Sequence, residues 1–73
     1  MEIDGIHVHQ SITLDVVIEA VKRGMSSVDN PGFCIACGEE VEGVEPDARK
    51  YECDFCGEDA VYGADEIAIN WVV

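Results

Sequence analysis

The sequence has few basic residues and no long apolar run. Lys and Arg together number 4, against 16 Asp and Glu, and the formal net charge is -12. A surface of this charge repels phosphate backbones and anionic lipids, so we expect no direct binding to nucleic acid or to membranes. No segment approaches the roughly eighteen apolar residues of a membrane span, and the N-terminus lacks the basic start of a signal peptide. These absences predict a cytoplasmic protein.

The chain is also short for a protein stabilised by its core alone. Its 73 residues form one domain at most, and domains of this size commonly need disulfides or a metal ion as well. Cytoplasmic thiols stay reduced, which favours metal ligands over disulfides. We therefore expect a single domain over 1–73, stabilised by a bound metal.

All four cysteines fall in two matching segments. "FCIACGEE" (33–40) and "CDFCGED" (53–59) each contain C-x-x-C-G, and fifteen residues separate the two pairs. This spacing is typical of a zinc site, because tetrahedral zinc accepts four thiolates. The glycine after each pair can adopt a positive φ, which lets backbone N–H groups of the turn point at the sulfurs. We predict that one Zn²⁺ per chain is held by Cys34, Cys37, Cys53 and Cys56.

Other chemistry of paired cysteines remains open. Rubredoxins bind iron through two C-x-x-C-G segments, are acidic and carry aromatic residues near the metal, although the segment between their pairs is normally much longer. An iron-binding, rubredoxin-like electron carrier is therefore the first alternative. A thioredoxin-like catalyst needs C-x-x-C at a helix start within a β-α-β unit, and neither pair has one. Four cysteines also close the coordination shell that a catalytic zinc keeps open, so we expect no enzyme activity.

Residues 1–30 are predicted to form a short strand and a helix. Asp4-Gly5 is a turn signal, and the alternating residues 6–9 suit a short strand. His7 and His9 share one face of that strand, and we expect both to face solvent.

The helix is predicted from Thr13 to Met25, where apolar residues recur at helical spacing. Thr13 or Ser11 can cap its N-terminus, because a hydroxyl there accepts a hydrogen bond from a free backbone N–H. We expect the apolar stripe of this helix to lie in the core: Leu14, Val17, Ile18, Val21 and Met25.

Residues 31–63 are predicted to form a zinc ribbon. "SSVDNPGF" (26–33) is rich in turn residues and predicts a linker into it. The segment between the cysteine pairs alternates and contains a "GVEPDA" turn, which predicts a hairpin. "DAVYG" (59–63) predicts a further short strand.

Residues 64–73 are predicted to form a C-terminal strand or a helical turn. Apolar residues stand at every second position from Ile67 to Val73, which favours the strand, whereas Asp65 and Glu66 suit a helix start. An uncharged strand with Trp71 predicts self-association or partner docking through 67–73. The alternative is that it pairs with residues 6–8 inside the fold.

Residues 33–63 resemble the zinc-ribbon class. The longer stretch 17–66 is similar to small uncharacterised zinc-ribbon proteins of bacteria and their phages. The segments that carry this likeness are "VIEAVKRGM", "NPGFCIACG", "GVEPDARKYEC" and "CGEDAVYGADE". The resemblance implies a zinc-ribbon fold, a bound zinc and residence in the cytoplasm of a bacterium or an infected host. It implies no activity.

The patterns together predict an α+β fold, in which a short N-terminal strand and one amphipathic helix precede a four-cysteine zinc-ribbon hairpin with a small antiparallel sheet. The expected function is that of a small acidic protein with structural zinc, acting as an interaction adaptor with a protein partner or as a homodimer. The second alternative is an acidic nucleic-acid mimic that inhibits a basic partner. It rests on the eleven acids and two bases between Glu39 and Glu66.

Overall fold

The computed structural model describes residues 1–26 and 30–71. Its elements are β1 (Glu2–Ile3), β2 (Ile6–His7), α1 (Leu14–Ser26), β3 (Gly32–Cys34), β4 (Glu40–Val41), β5 (Tyr51–Glu52), β6 (Asp59–Gly63) and α2 (Ala64–Trp71). This mixture of helices and antiparallel strands confirms the predicted α+β class. No helix in the described ranges is long and apolar enough to span a membrane.

The N-terminal strands form a tight hairpin. β1 pairs with β2 in antiparallel fashion, with Ile3 opposite Ile6. The turn residues Asp4 and Gly5 have φ values of 54° and 82°, the positive values that a type I′ hairpin turn requires. The predicted turn is confirmed, and the structure adds residues 2–3 as a partner strand. Ile3 and Val8 are buried and attach the hairpin to the core.

Helix α1 begins where the sequence predicts. The hydroxyl of Thr13 accepts a hydrogen bond from the N–H of Val16 at 3.3 Å. The Thr13 carbonyl accepts the first helical bond, from the N–H of Val17 at 3.0 Å. Thr13 is therefore the N-cap, and it satisfies a donor that the first turn leaves without a helical partner.

The prediction that the whole apolar stripe of α1 lies in the core is wrong. Val17 is buried, but so is Ala20, which the prediction left out. Helix α2 packs against α1, and Ala20 lies on the buried side of α1. The buried side of α1 therefore includes only part of the predicted stripe. Three of its members are exposed: Leu14 by 37%, Ile18 by 40% and Met25 by 82%.

Strands β3 to β6 form one antiparallel sheet in the order β4-β3-β6-β5. The predicted hairpin between the cysteine pairs is wrong, because β4 and β5 lie at opposite edges and do not pair with each other. The connecting loop is instead bonded to other elements. The N–H of Gly63 donates to the Ala48 carbonyl at 3.0 Å, and the N–H of Glu66 donates to the Pro46 carbonyl at 3.1 Å. The strand predicted over 59–63 is confirmed as β6.

The favoured prediction of a C-terminal strand is also wrong, since Ala64 to Trp71 form helix α2. Asp65 and Glu66 lie in its first turn, where acids are favourable near the positive end of the helix dipole. Ile67 is buried and Trp71 is partly buried against the core. Strand addition through 67–71 and strand pairing with residues 6–8 are excluded by this helix.

The predicted linker (26–33) and the predicted C-terminal segment (64–73) each extend beyond the described residues. Residues 27–29 of the predicted linker lie outside them, and Gly32 and Phe33 belong to β3 instead of the linker. Val72 and Val73 also lie outside the described residues.

Asp4 joins the β1-β2 hairpin to the β4-β5 loop and to strand β6. Its carboxylate accepts hydrogen bonds from Tyr62 Oη at 2.8 Å and from Arg49 Nη2 at 2.6 Å. The Arg49 bond, and then the Tyr62 bond, hold the pKa of Asp4 below its usual value. Burial, and then the bond to Asp4, raise the pKa of Tyr62 to about 12. The contact fixes the N-terminal hairpin over the sheet that carries the cysteines.

Candidate metal centre

The four cysteine sulfurs come together at one end of the sheet. All four Sγ atoms lie within 4.8 Å of one another. Cys34 Sγ is 3.6 Å from Cys56 Sγ, and Cys37 Sγ is 3.7 Å from Cys53 Sγ. Sulfurs in a tetrahedron about 2.3 Å from a zinc ion are about 3.8 Å apart. The donor set therefore fits one tetrahedral metal ion, and tetrahedral iron fits the same four sulfurs.

Each C-x-x-C-G segment folds into the same turn; we call 34–38 the first knuckle and 53–57 the second knuckle. In both, the N–H of the first cysteine donates to the carbonyl five residues later, and the glycine N–H donates to the carbonyl of that cysteine. The bonds are Cys34 to Glu39 at 2.9 Å, Gly38 to Cys34 at 2.7 Å, Cys53 to Glu58 at 2.9 Å and Gly57 to Cys53 at 2.9 Å. Both glycines have the positive φ that the sequence predicted, 87° and 79°.

The central strands bring the two knuckles together. β3 leads into the first knuckle and β6 leaves the second, and the two strands pair with Cys34 opposite Val61. Each knuckle is the loop of its own hairpin, β3-β4 or β5-β6. The site is therefore assembled by pairing between two hairpins.

The thiols differ in acidity. Burial raises the pKa of Cys34 to about 12. The N–H of Cys56, and after it that of Phe55 at 3.4 Å from the sulfur, lower the pKa of Cys53 to about 7. Metal ligation requires thiolates, so binding at neutral pH displaces at least the Cys34 proton. Affinity for a metal should consequently rise with pH.

The pKa of the Cys37 thiol is set by opposing effects. The N–H of Glu39 lowers its pKa, but burial and the sulfurs of Cys53 and Cys56 act in the other direction and leave it raised. In the first knuckle both thiols therefore hold their protons more strongly than a free cysteine does.

The first knuckle is covered by the loop that follows β2. The N–H of His9 donates to the Ile35 carbonyl at 2.7 Å, and the N–H of Ser11 donates to His9 Nδ1 at 3.1 Å. A Cβ at Gly38 would lie 2.8 Å from His9 Nδ1 and against the Ser11 hydroxyl. His7 is exposed as predicted, whereas His9 is partly buried. Within the described residues, the group placed to hold a metal consists of cysteines.

The second knuckle is open to solvent except at Cys53, which is buried. Phe55 is 75% exposed and Tyr51 is 43% exposed, and Cys56 is exposed as well. Four exposed acids lie near these aromatic residues in the chain, and no basic residue occurs between 51 and 63. We call this region the second-knuckle surface: Tyr51, Glu52, Asp54, Phe55, Glu58 and Asp59.

The sequence predicted neither the covering of the first knuckle nor the exposure of the second. The contact of His9 and Ser11 with Gly38 joins residues distant in the chain, and no local pattern predicts it. The sequence placed aromatic residues near the metal, but it could not predict that Phe33 is 2% exposed while Phe55 is 75% exposed.

No protein-family model, curated protein or solved structure matches the chain. The chemistry of the centre is therefore inferred from its own geometry.

Proposed function

We propose that the chain is a small cytoplasmic zinc-ribbon protein with one structural Zn²⁺, and that it acts as a protein-interaction adaptor. The observation that carries the proposal is the convergence of four sulfurs from two knuckles within 4.8 Å. Four thiolates would leave no position on the ion for a substrate, which supports a structural role over a catalytic one. The zinc ligands would be Cys34, Cys37, Cys53 and Cys56.

A structural ion would stabilise a sheet whose strands are very short. β4 and β5 have two residues each, and such short strands are marginal without further support. Structural zinc in small domains has apparent binding free energies of about 10–16 kcal/mol, comparable with the whole stability of an ordinary domain. Joining the two hairpins through their knuckles would therefore supply much of the folding free energy.

An iron-binding electron carrier is the competing function, because the sulfur spacing suits both metals. Zinc has no redox chemistry in proteins, whereas iron ligated by four cysteines is coloured and can be reduced and oxidised. Metal content therefore separates the two functions directly.

The adaptor role is supported by the second-knuckle surface. Exposed aromatic residues are the usual anchors of protein interfaces, and a charged rim selects a partner of opposite charge. Exposed Phe55, with exposed acids before and after it in the chain, fits a partner with an apolar pocket and basic residues around it. The acidic-mimic alternative would use the same acids to bind a nucleic-acid-binding protein.

Affinity capture from the native host lysate tests the adaptor role, with Phe55→Ala compared against the unaltered chain. Because Phe55 is exposed, we expect its removal to change stability by less than about 0.5 kcal/mol while a bound partner is lost. Ile69→Ala is the matched control, since Ile69 is 61% exposed on α2 and should not affect capture. Equal capture by the Phe55 variant would contradict an adaptor acting through the second knuckle. Release of the partner by duplex DNA would favour the mimic.

A further inference from the structure

One face of α1 is apolar, exposed and not used by the proposed function. Leu14, Ile18 and Met25 are exposed, and the partly buried Val21 completes the row. These four residues, which we call the α1 stripe, follow one another at intervals of 4, 3 and 4. That spacing places them at the alternating d and a positions through which two helices of a coiled coil meet. The stripe is therefore shaped to contact another helix.

The charges of α1 favour a second copy of this chain as that partner. Along the helix, Asp15 and Glu19 are balanced by Lys22 and Arg23, although the chain carries -12; Arg23 also pairs with Glu40 within the chain at 2.8 Å. Two copies repel each other least where their surfaces are locally neutral. The residues of α1 themselves thus add no net charge to a contact between two copies.

The order of these charges favours an antiparallel arrangement. The acids lie in the N-terminal half of α1 and the bases in its C-terminal half. A two-fold dimer uses the same surface on both copies, so every contact occurs twice. With Leu14 opposite Met25 and Ile18 opposite Val21 of the other copy, Asp15 of each copy comes beside Lys22 of the other. A parallel pair would bring like halves together.

We propose that the α1 stripe is the contact surface of an antiparallel, two-fold homodimer. One pair of 13-residue helices buries less area than the roughly 1,200–2,000 Å² of a stable interface. Association is therefore expected to be weak, with a dissociation constant on the order of 100 μM. The proposal does not depend on the adaptor role, because it uses no residue of the second-knuckle surface.

Sedimentation of the metal-loaded, full-length chain from about 10 μM to 1 mM tests the proposal. We expect a concentration-dependent dimer, and Ile18→Asp should raise its dissociation constant at least tenfold. Val16→Asp is the matched control: Val16 is 38% exposed, close to the 40% of Ile18, but lies roughly 200° around the helix from it. A chain that is monomeric at about 1 mM would overturn the dimer, as would equal weakening by both substitutions.

Exchanging the charges tests the orientation. Asp15→Lys alone or Lys22→Asp alone would place like charges in contact twice, so each variant should associate at least tenfold more weakly. A mixture of the two variants would restore two unlike pairs and should regain association. Melting curves of each variant confirm that it is folded. A mixture that associates no better than its separate components would overturn the antiparallel contact.

Discussion

The two knuckles share a backbone turn but differ in how far other residues cover them. Both have the same pair of hydrogen bonds and a glycine at positive φ. The first is covered by His9 and Ser11, whereas the second exposes Phe55 by 75%. The C-x-x-C-G motif thus specifies the turn and the sulfur positions. The residues packed around it decide whether the knuckle belongs to the core or to the surface.

Because of this difference, we expect the first knuckle to contribute mainly to stability and the second mainly to partner binding. Around the first knuckle, substitutions should mainly change the free energy of unfolding, because its side chains are packed against the N-terminal loop. Around the second, they should mainly change partner binding, because its side chains other than the buried Cys53 contact water.

The largest contrast is expected between the two phenylalanines. Phe33 is 2% exposed beside the first knuckle and Phe55 is 75% exposed in the second. Phe33→Ala leaves a cavity and should lower the free energy of unfolding by about 3–5 kcal/mol. Phe55→Ala should change it by less than about 0.5 kcal/mol. Urea denaturation of the metal-loaded variants measures both, and similar losses would break the distinction between the knuckles.

A smaller contrast is expected between the two glycines. Gly38→Ala and Gly57→Ala both place a side chain at positive φ, which costs about 1–2 kcal/mol. A Cβ at position 57 meets no atom within 4 Å, whereas one at position 38 meets His9 and Ser11. Gly38→Ala should therefore lower the melting temperature further than Gly57→Ala does.

Ser11→Ala provides the control for this second contrast. Combined with Gly38→Ala, it removes the hydroxyl that the new Cβ meets and should recover part of the extra loss. It should recover nothing when combined with Gly57→Ala. Equal losses for the two glycine variants would show that the covering of the first knuckle is unimportant to stability.

Local chemistry explains the features that the sequence predicted well. The Asp4-Gly5 turn, the Thr13 cap and the positive φ of Gly38 each depend on a few neighbouring residues. The meeting of the four sulfurs agrees with the spacing of the two turns, which is typical of a site for one tetrahedral ion. Such features can be predicted without knowing which residues pack against them.

The features that it predicted wrongly depend on tertiary contacts. The apolar stripe that the sequence predicted for α1 extends beyond the buried side of the helix, and only the position of α2 decides that Ala20 is buried while Ile18 is not. The loop between the knuckles bonds to Gly63 and Glu66, so β4 and β5 are free to lie at opposite edges. Ile67 and Trp71 fit both a period of two and a helical spacing of four, and packing against α1 selects the helix.

The metal content of the purified, folded chain tests the central claim most directly. Elemental analysis should find one zinc per chain, because four sulfurs within 4.8 Å suit a single tetrahedral ion. Iron at full occupancy would contradict a structural zinc and favour the electron carrier. A chain that contains no metal and still unfolds cooperatively would contradict the claim that a bound ion stabilises this fold.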